Sequence, residues 1–139
     1  MSLALILTLI LLYVAVVFWL SRFFVPYLNQ NDFKMPKHIP AEVKKNVKRF
    51  KAKAKNKKEY LKRAYEFISK DYNGYYFTYL KPKLLFNRDF NKTVNSRELP
   101  CTQLNYLLFV YLMASGLFRE QDIKTALTFV NFNIHEYLK

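Results

Sequence analysis

Cys101 is the one cysteine of the chain, and it stands directly after Pro100 at the mouth of a near-continuous apolar run, TQLNYLLFVYLMASGLF. A proline there suits the entry of a helix. The thiol then lies in the first turn, where unpaired backbone N–H groups and the macrodipole stabilise a thiolate. His135 follows in a β-prone segment after a short turn. A thiol at a helix N-terminus facing an imidazole on a neighbouring strand is the arrangement that nucleophilic thiol catalysis needs. The imidazole takes the proton and the thiolate attacks an acyl carbon. The same two residue types also serve as a small buried hydrophobe and a structural histidine, and spacing alone does not separate these uses. Cys101, His38 and His135 are too few ligands for a Cys/His structural zinc site, so neither metal nor cofactor is expected.

The elements that must position this pair lie in the last third of the chain. Residues 101–118 are apolar on nearly every face, which predicts a buried central helix, with Gly116 as its left-handed stop. REQD (119–122) reads as a turn. Residues 124–132 are β-branched and aromatic and read as a strand, Asn131 or Asn133 turns the chain, and HEYLK (135–139) begins a second strand. Two short strands are marginal alone, so the sheet is expected to gain strands from residues 75–86, from another subunit or from further chain. YYFTYL (75–80) is aromatic and β-prone and is cut short by Lys81-Pro82, while 87–98 reads as loop. For Tyr72, Tyr75, Tyr76 and Tyr79 core packing is the leading reading, with an interface or a substrate cleft as the alternatives.

Charge divides the remainder sharply. Of 139 residues, 23 are Lys or Arg and 10 are Asp or Glu, a net charge of +13. Residues 1–33 net zero, residues 34–63 carry 13 bases and two acids, and residues 64–139 carry nine bases and seven acids. The uncharged stretch from Leu3 to Leu20 predicts a single membrane anchor over residues 1–25, because roughly 20 apolar residues cross a hydrocarbon core. Trp19, Phe23, Phe24 and Tyr27 suit an interfacial belt, and Arg22 can snorkel. A cleaved signal peptide is the competitor, but it wants a basic n-region and a small-x-small site, whereas here the far end is FWLSRFF. Arg22, Lys34 and Lys37 follow the apolar run and no base precedes it. The positive-inside rule therefore places the C-terminal part in the cytoplasm.

Residues 26–40 contain three prolines and read as a linker holding a solvated His38. From Pro40, with Glu42 in the first turn, Val43, Val47, Phe50, Ala54, Leu61, Ala64, Tyr65, Ile68 and Tyr72 recur at helical spacing. This predicts one long amphipathic helix over 41–74, stopped at Asn73-Gly74. Its other face is lysine-rich. Lys44, Lys45, Lys48, Lys51, Lys55, Lys58 and Lys62 are the candidate contacts to anionic lipid or an acidic partner. A merely solvated face explains them equally well. Nucleic acid is the third reading, since the charge fits phosphate but no binding motif or stacking platform accompanies it.

LPCTQLNYLLFVYLMASGLFREQDI followed by LTFVNFNIHEYLK resembles the core of transglutaminase-like domains, the papain-related cysteine acyltransferases and proteases, over about residues 66–139. In that family the catalytic cysteine opens a buried helix, a glycine ends it, and a following strand brings the histidine. Cys101, Gly116 and His135 match those positions. The resemblance implies a thiol acyltransferase or peptidase acting on peptide or amide bonds. The family's third member, an Asp or Asn that orients the histidine, normally lies on the strand after it. Asp122 precedes His135 and sits in a turn, so it is no match, and whether the chain is catalytic stays open. The overall expectation is an α+β chain in four parts. They are an anchor (1–25), a linker (26–40), a basic amphipathic helix (41–74) and a small, incomplete transglutaminase-like module (75–139). A partner protein is one way to complete that module. The alternative function is a non-catalytic single-pass membrane subunit that binds through its basic helix.

Overall fold

Residues Leu3–Phe24 form the first helix, α1, 22 residues long with no charged residue in its first turns. At about 1.5 Å per residue it is long enough to cross a hydrocarbon core. Its Leu3–Ser21 stretch is long and apolar enough to span a membrane and has no buried share, a description that an N-terminal signal sequence also meets. Two of its hydroxyls are satisfied within the helix. The Thr8 hydroxyl donates to the Ala4 carbonyl at 2.9 Å and Ser21 to Val17 at 2.7 Å, so neither needs water.

The computed structural model describes the backbone of residues 3–74, 81–130 and 133–138. The strand expected at 75–80, with Tyr75, Tyr76 and Tyr79, lies outside the described residues, as do the turn at Asn131 and the side chains of Arg22 and His135.

The described chain is mostly helical with a few short strands. After α1 come α2 (Ala41–Lys53), α3 (Lys57–Asp71), β1 (Asn73–Gly74), α4 (Pro82–Leu85), α5 (Phe90–Asn95), β2 (Glu98–Leu99), α6 (Cys101–Ala114), β3 (Thr125–Val130) and β4 (Asn133–Leu138). The single long helix expected over 41–74 is two helices. Ala54 leaves the helix with φ −94° and ψ 127°. Asn56 then starts α3 as an N-cap, accepting from Glu59 N–H at 2.9 Å, while the Glu59 carboxylate accepts from Lys55 N–H at 2.9 Å. This reciprocal pair satisfies donors that a new helix end exposes. The far end also differs from expectation. α3 closes at Asp71, and Asn73–Gly74 pair in parallel with Glu98–Leu99 instead of forming a left-handed stop.

The break rotates the buried face. Val43, Val47 and Phe50 of α2 and Tyr60, Ala64 and Ile68 of α3 point into one core, whereas Leu61 and Tyr65 are exposed. Both helices pack on α6, which is buried nearly all round, as its composition predicts. Donors from α2 and α3 also reach the carbonyls at its C-terminus. Tyr60 Oη donates to the Tyr111 carbonyl at 2.8 Å and Lys51 Nζ to the Ser115 carbonyl at 2.9 Å. Carbonyls at a helix end have no helical partner, and a cation there also meets the negative end of the macrodipole. Gly116 follows at φ +69°, the left-handed stop its position predicts.

The expected linker at 26–40 is irregular but packed. Val25, Pro26, Tyr27, Leu28 and Phe33 are buried. Tyr27 adopts φ 63° and stacks on Tyr106 with ring centroids 3.8 Å apart. Tyr106 Oη donates to the Lys34 carbonyl at 2.8 Å, and Gln30 Nε2 to the Ile123 carbonyl at 3.1 Å. Aromatic burial thus holds a strap across α6, and His38 stays exposed, as do Lys34 and Lys37.

Residues 87–98, expected as loop, hold α5 because Asp89 caps it, accepting from Asn91 N–H at 3.0 Å and Lys92 N–H at 3.4 Å. Fully buried Gln103 of α6 staples this region by donating to the Leu84 and Asn87 carbonyls. Tyr72 is core, as expected, and donates to the Val94 carbonyl at 3.0 Å. One apolar cluster runs from Tyr27 through both basic helices to Ile123, and a smaller one joins Val25, Leu28 and Leu85. β3 and β4 form an antiparallel hairpin, pairing Thr128 with His135, and β4 lies against α6. Residues 82–85 are helical, so they add no strand to it.

Candidate functional site

Pro100 serves as N-cap of α6 with φ −64° and ψ 156°, and its carbonyl accepts from Gln103 and Leu104 N–H at 3.0 Å each. Cys101 is thus the first helical residue, half-buried and not in a disulfide. No acidic side chain lies in that first turn. The thiol thus sits at the N-terminal end of a 14-residue helix. Beside it the Thr102 hydroxyl is buried with no partner among the described residues. Such a group costs free energy unless something reaches it.

His135 is the third residue of β4, two strand positions further in than the sequence suggested. The contact between β4 and α6 brings the element carrying the imidazole to the element carrying the thiol. Asp122 is committed elsewhere. Its carboxylate accepts from Arg119 N–H at 3.0 Å, closing the 3-10 turn Glu120–Asp122, and lies 3.7 Å from Lys57 Nζ. Among the described residues no three His, Cys, Asp or Glu side chains gather as a metal cluster would.

The seven candidate lysines do not share one face. Lys44, Lys45 and Lys48 lie on the outer side of α2, exposed, with no ion pair among the described residues. Lys51 instead caps α6. Lys55 sits in the break between helices, where its N–H binds Glu59. That contact and the Arg63 guanidinium hold the Glu59 carboxyl below its ordinary range. Lys58 and Lys62 belong to α3, and Lys62 approaches Glu66 at 3.8 Å.

These two lysines flank a feature that the sequence did not suggest. A groove of about 580 Å³ runs between α3 and α6. Leu61 and Tyr65 form its α3 wall, Leu108 and Leu112 its α6 wall, and Phe118 and Ile123 its end. Lys58, Lys62, Asn105 and Asp122 supply its polar edge. On α6 the groove residues Asn105, Leu108 and Leu112 continue the stripe begun by Cys101, at steps of four, three and four. The signal that would have found it was the misplaced helix face: Leu61 and Tyr65 are core only if α2 and α3 are one rod.

Buried tyrosines dominate the electrostatics of the surrounding core. Burial pushes the Tyr60 hydroxyl up to about 12 and raises Tyr106, Tyr111, Tyr27 and Tyr72 as well. All stay neutral at physiological pH, Tyr27, Tyr60, Tyr72 and Tyr106 as donors to backbone carbonyls and Tyr111 as an acceptor from Asn46 Nδ2.

No protein-family model matches the chain, and no curated protein or solved structure matches it either. The resemblance to transglutaminase-like domains rests on Cys101, Gly116 and His135 alone.

Proposed function

We propose that the chain is a membrane-anchored, transglutaminase-like thiol module acting on peptide or amide bonds, with Cys101 as nucleophile and His135 as its base. The observation that carries the reading is the contact between α6, which Cys101 opens, and β4, which holds His135.

In the reaction, the His135 imidazole takes the Sγ proton and the thiolate attacks the amide carbonyl. The resulting tetrahedral adduct expels an amine that leaves with that proton. The thioester on Cys101 then passes its acyl group to a second amine or to water, which restores the thiol. The test is the pH dependence of Cys101 alkylation in the wild type and in His135→Ala. A folded protein reacting with an apparent pKa well below the ~8.5 of a free thiol, raised by His135→Ala, is expected. Reaction only after unfolding, with no effect of His135→Ala, removes the catalytic reading.

A second reading has its own observation. Lys44, Lys45 and Lys48 project from α2 with no ion pair among the described residues, and α1 is fit to be an anchor. A non-catalytic membrane subunit that holds anionic lipid or an acidic partner through this face uses both features. With Arg22, Lys34 and Lys37 after α1, either reading places the body of the protein on the cytoplasmic side.

A further inference from the structure

We propose that the groove between α3 and α6 binds a single-chain anionic amphiphile, its acyl chain between the two helices and its carboxylate at Lys58 and Lys62. The site stands independently of the thiol chemistry.

Three observations select this occupant. First, the groove walls are apolar side chains of both helices, and its volume of about 580 Å³ falls within the range of small-molecule sites. Second, its rim is charged on balance in favour of an anion. Of the residues lining it, Lys58 and Lys62 are basic and Asp122 alone is acidic, with Lys57 beside Asp122 and Glu66 beside Lys62 just outside, so one positive charge is left over at the mouth. A neutral chain gains nothing from that rim, and an acidic peptide makes little use of the walls. Third, α1 passes into the folded body without a spacer, since Val25 to Leu28 are buried directly after Phe24. An anchored α1 therefore holds the groove close to a supply of lipid chains. Tyr65 is 60% exposed and Leu61 39%, an apolar surface that the fold itself leaves without cover.

The full chain in phosphatidylcholine nanodiscs, treated with palmitic acid carrying a diazirine near its methyl end, tests the site after photolysis and peptide mapping. Adducts are expected on the segments around Leu61–Tyr65 and Leu108–Leu112. Referred to their free aqueous concentration, unlabelled fatty acids should compete about fourfold better per added methylene until the groove is full. Lys58→Glu with Lys62→Glu should weaken competition by the carboxylate at least about tenfold while leaving the matching alcohol unchanged. Lys44→Glu with Lys45→Glu, an equal change of charge on α2, should alter neither. Tyr65→Asp, at an exposed position that makes small demands on folding, should abolish the groove adducts. Adducts confined to α1 would mean partition into the bilayer alone and overturn the proposal. So would groove adducts without a chain-length trend, or competition by acid and alcohol that falls equally in every variant. Displacement by an amphipathic peptide but by no fatty acid would assign the groove to a protein partner instead.

Discussion

Tyr60 shows how one hydroxyl joins packing to pH dependence. Its side chain is fully buried, and its proton is donated to a carbonyl at the C-terminal end of α6. Burial raises its pKa to about 12, against about 10 in an unfolded chain. A raised tyrosine pKa means that the folded state prefers the protonated form. The contribution is complete below pH ~10 and is lost as pH climbs toward ~12. By pH 11 the loss amounts to about 1.4 kcal/mol. Tyr60→Phe keeps the ring and removes the titration. It should cost about 1–2 kcal/mol at neutral pH, because the Tyr111 carbonyl loses its donor. Between pH 9 and 11 it should then lose about 1–1.5 kcal/mol less than the wild type in denaturant titrations of the detergent-solubilised chain. Equal losses in the two proteins would mean that Tyr60 ionises as freely in the folded state as in the unfolded one.

At the scale of elements, the sequence was legible where pattern and local chemistry agreed. The apolar helix from Cys101, its Gly116 stop, the turn at 119–122 and the strand from Thr125 all lie where their residues predict. The basic region was less legible, because its apolar spacing runs on through a break that contains neither Pro nor Gly. Continued straight from Val43, a helix would turn Leu61 and Tyr65 inward and Tyr60 outward. The Asn56–Glu59 pair reverses this, and the groove exists because of it. Likewise, 26–40 lacks periodicity yet packs through single aromatics, which no periodic search detects. Asn56→Ala should cost about 1 kcal/mol, the usual price of an N-cap, and Asn56→Asp close to nothing. If Asn56→Ala leaves the unfolding midpoint unchanged, α3 is positioned by the burial of Tyr60, Ala64 and Ile68 alone.

For the whole molecule, the decisive property is that the charge is segregated along the chain while the core is not. Both basic helices belong to the same apolar cluster as α6, so the lysines of α2 are carried on a rigid body that follows directly after α1. A flexible basic tail would adapt to any polyanion. A fixed face presents Lys44, Lys45 and Lys48 together, and each basic residue near an anionic surface contributes ~1 kcal/mol. The chain from Val25 onward should therefore sediment with phosphatidylserine vesicles at about 50 mM salt. It should be released near 500 mM, where the screening length falls to a few ångström, and should ignore phosphatidylcholine at both. Changing Lys44, Lys45 and Lys48 together to Glu should weaken this binding on the order of 100-fold. The same change on Lys58 and Lys62 should weaken it less, since Lys62 already has Glu66 beside it. Binding that persists at high salt, or that the α2 changes leave intact, would assign it to a surface other than the lysine face, and no binding at about 50 mM salt would leave membrane attachment to α1 alone.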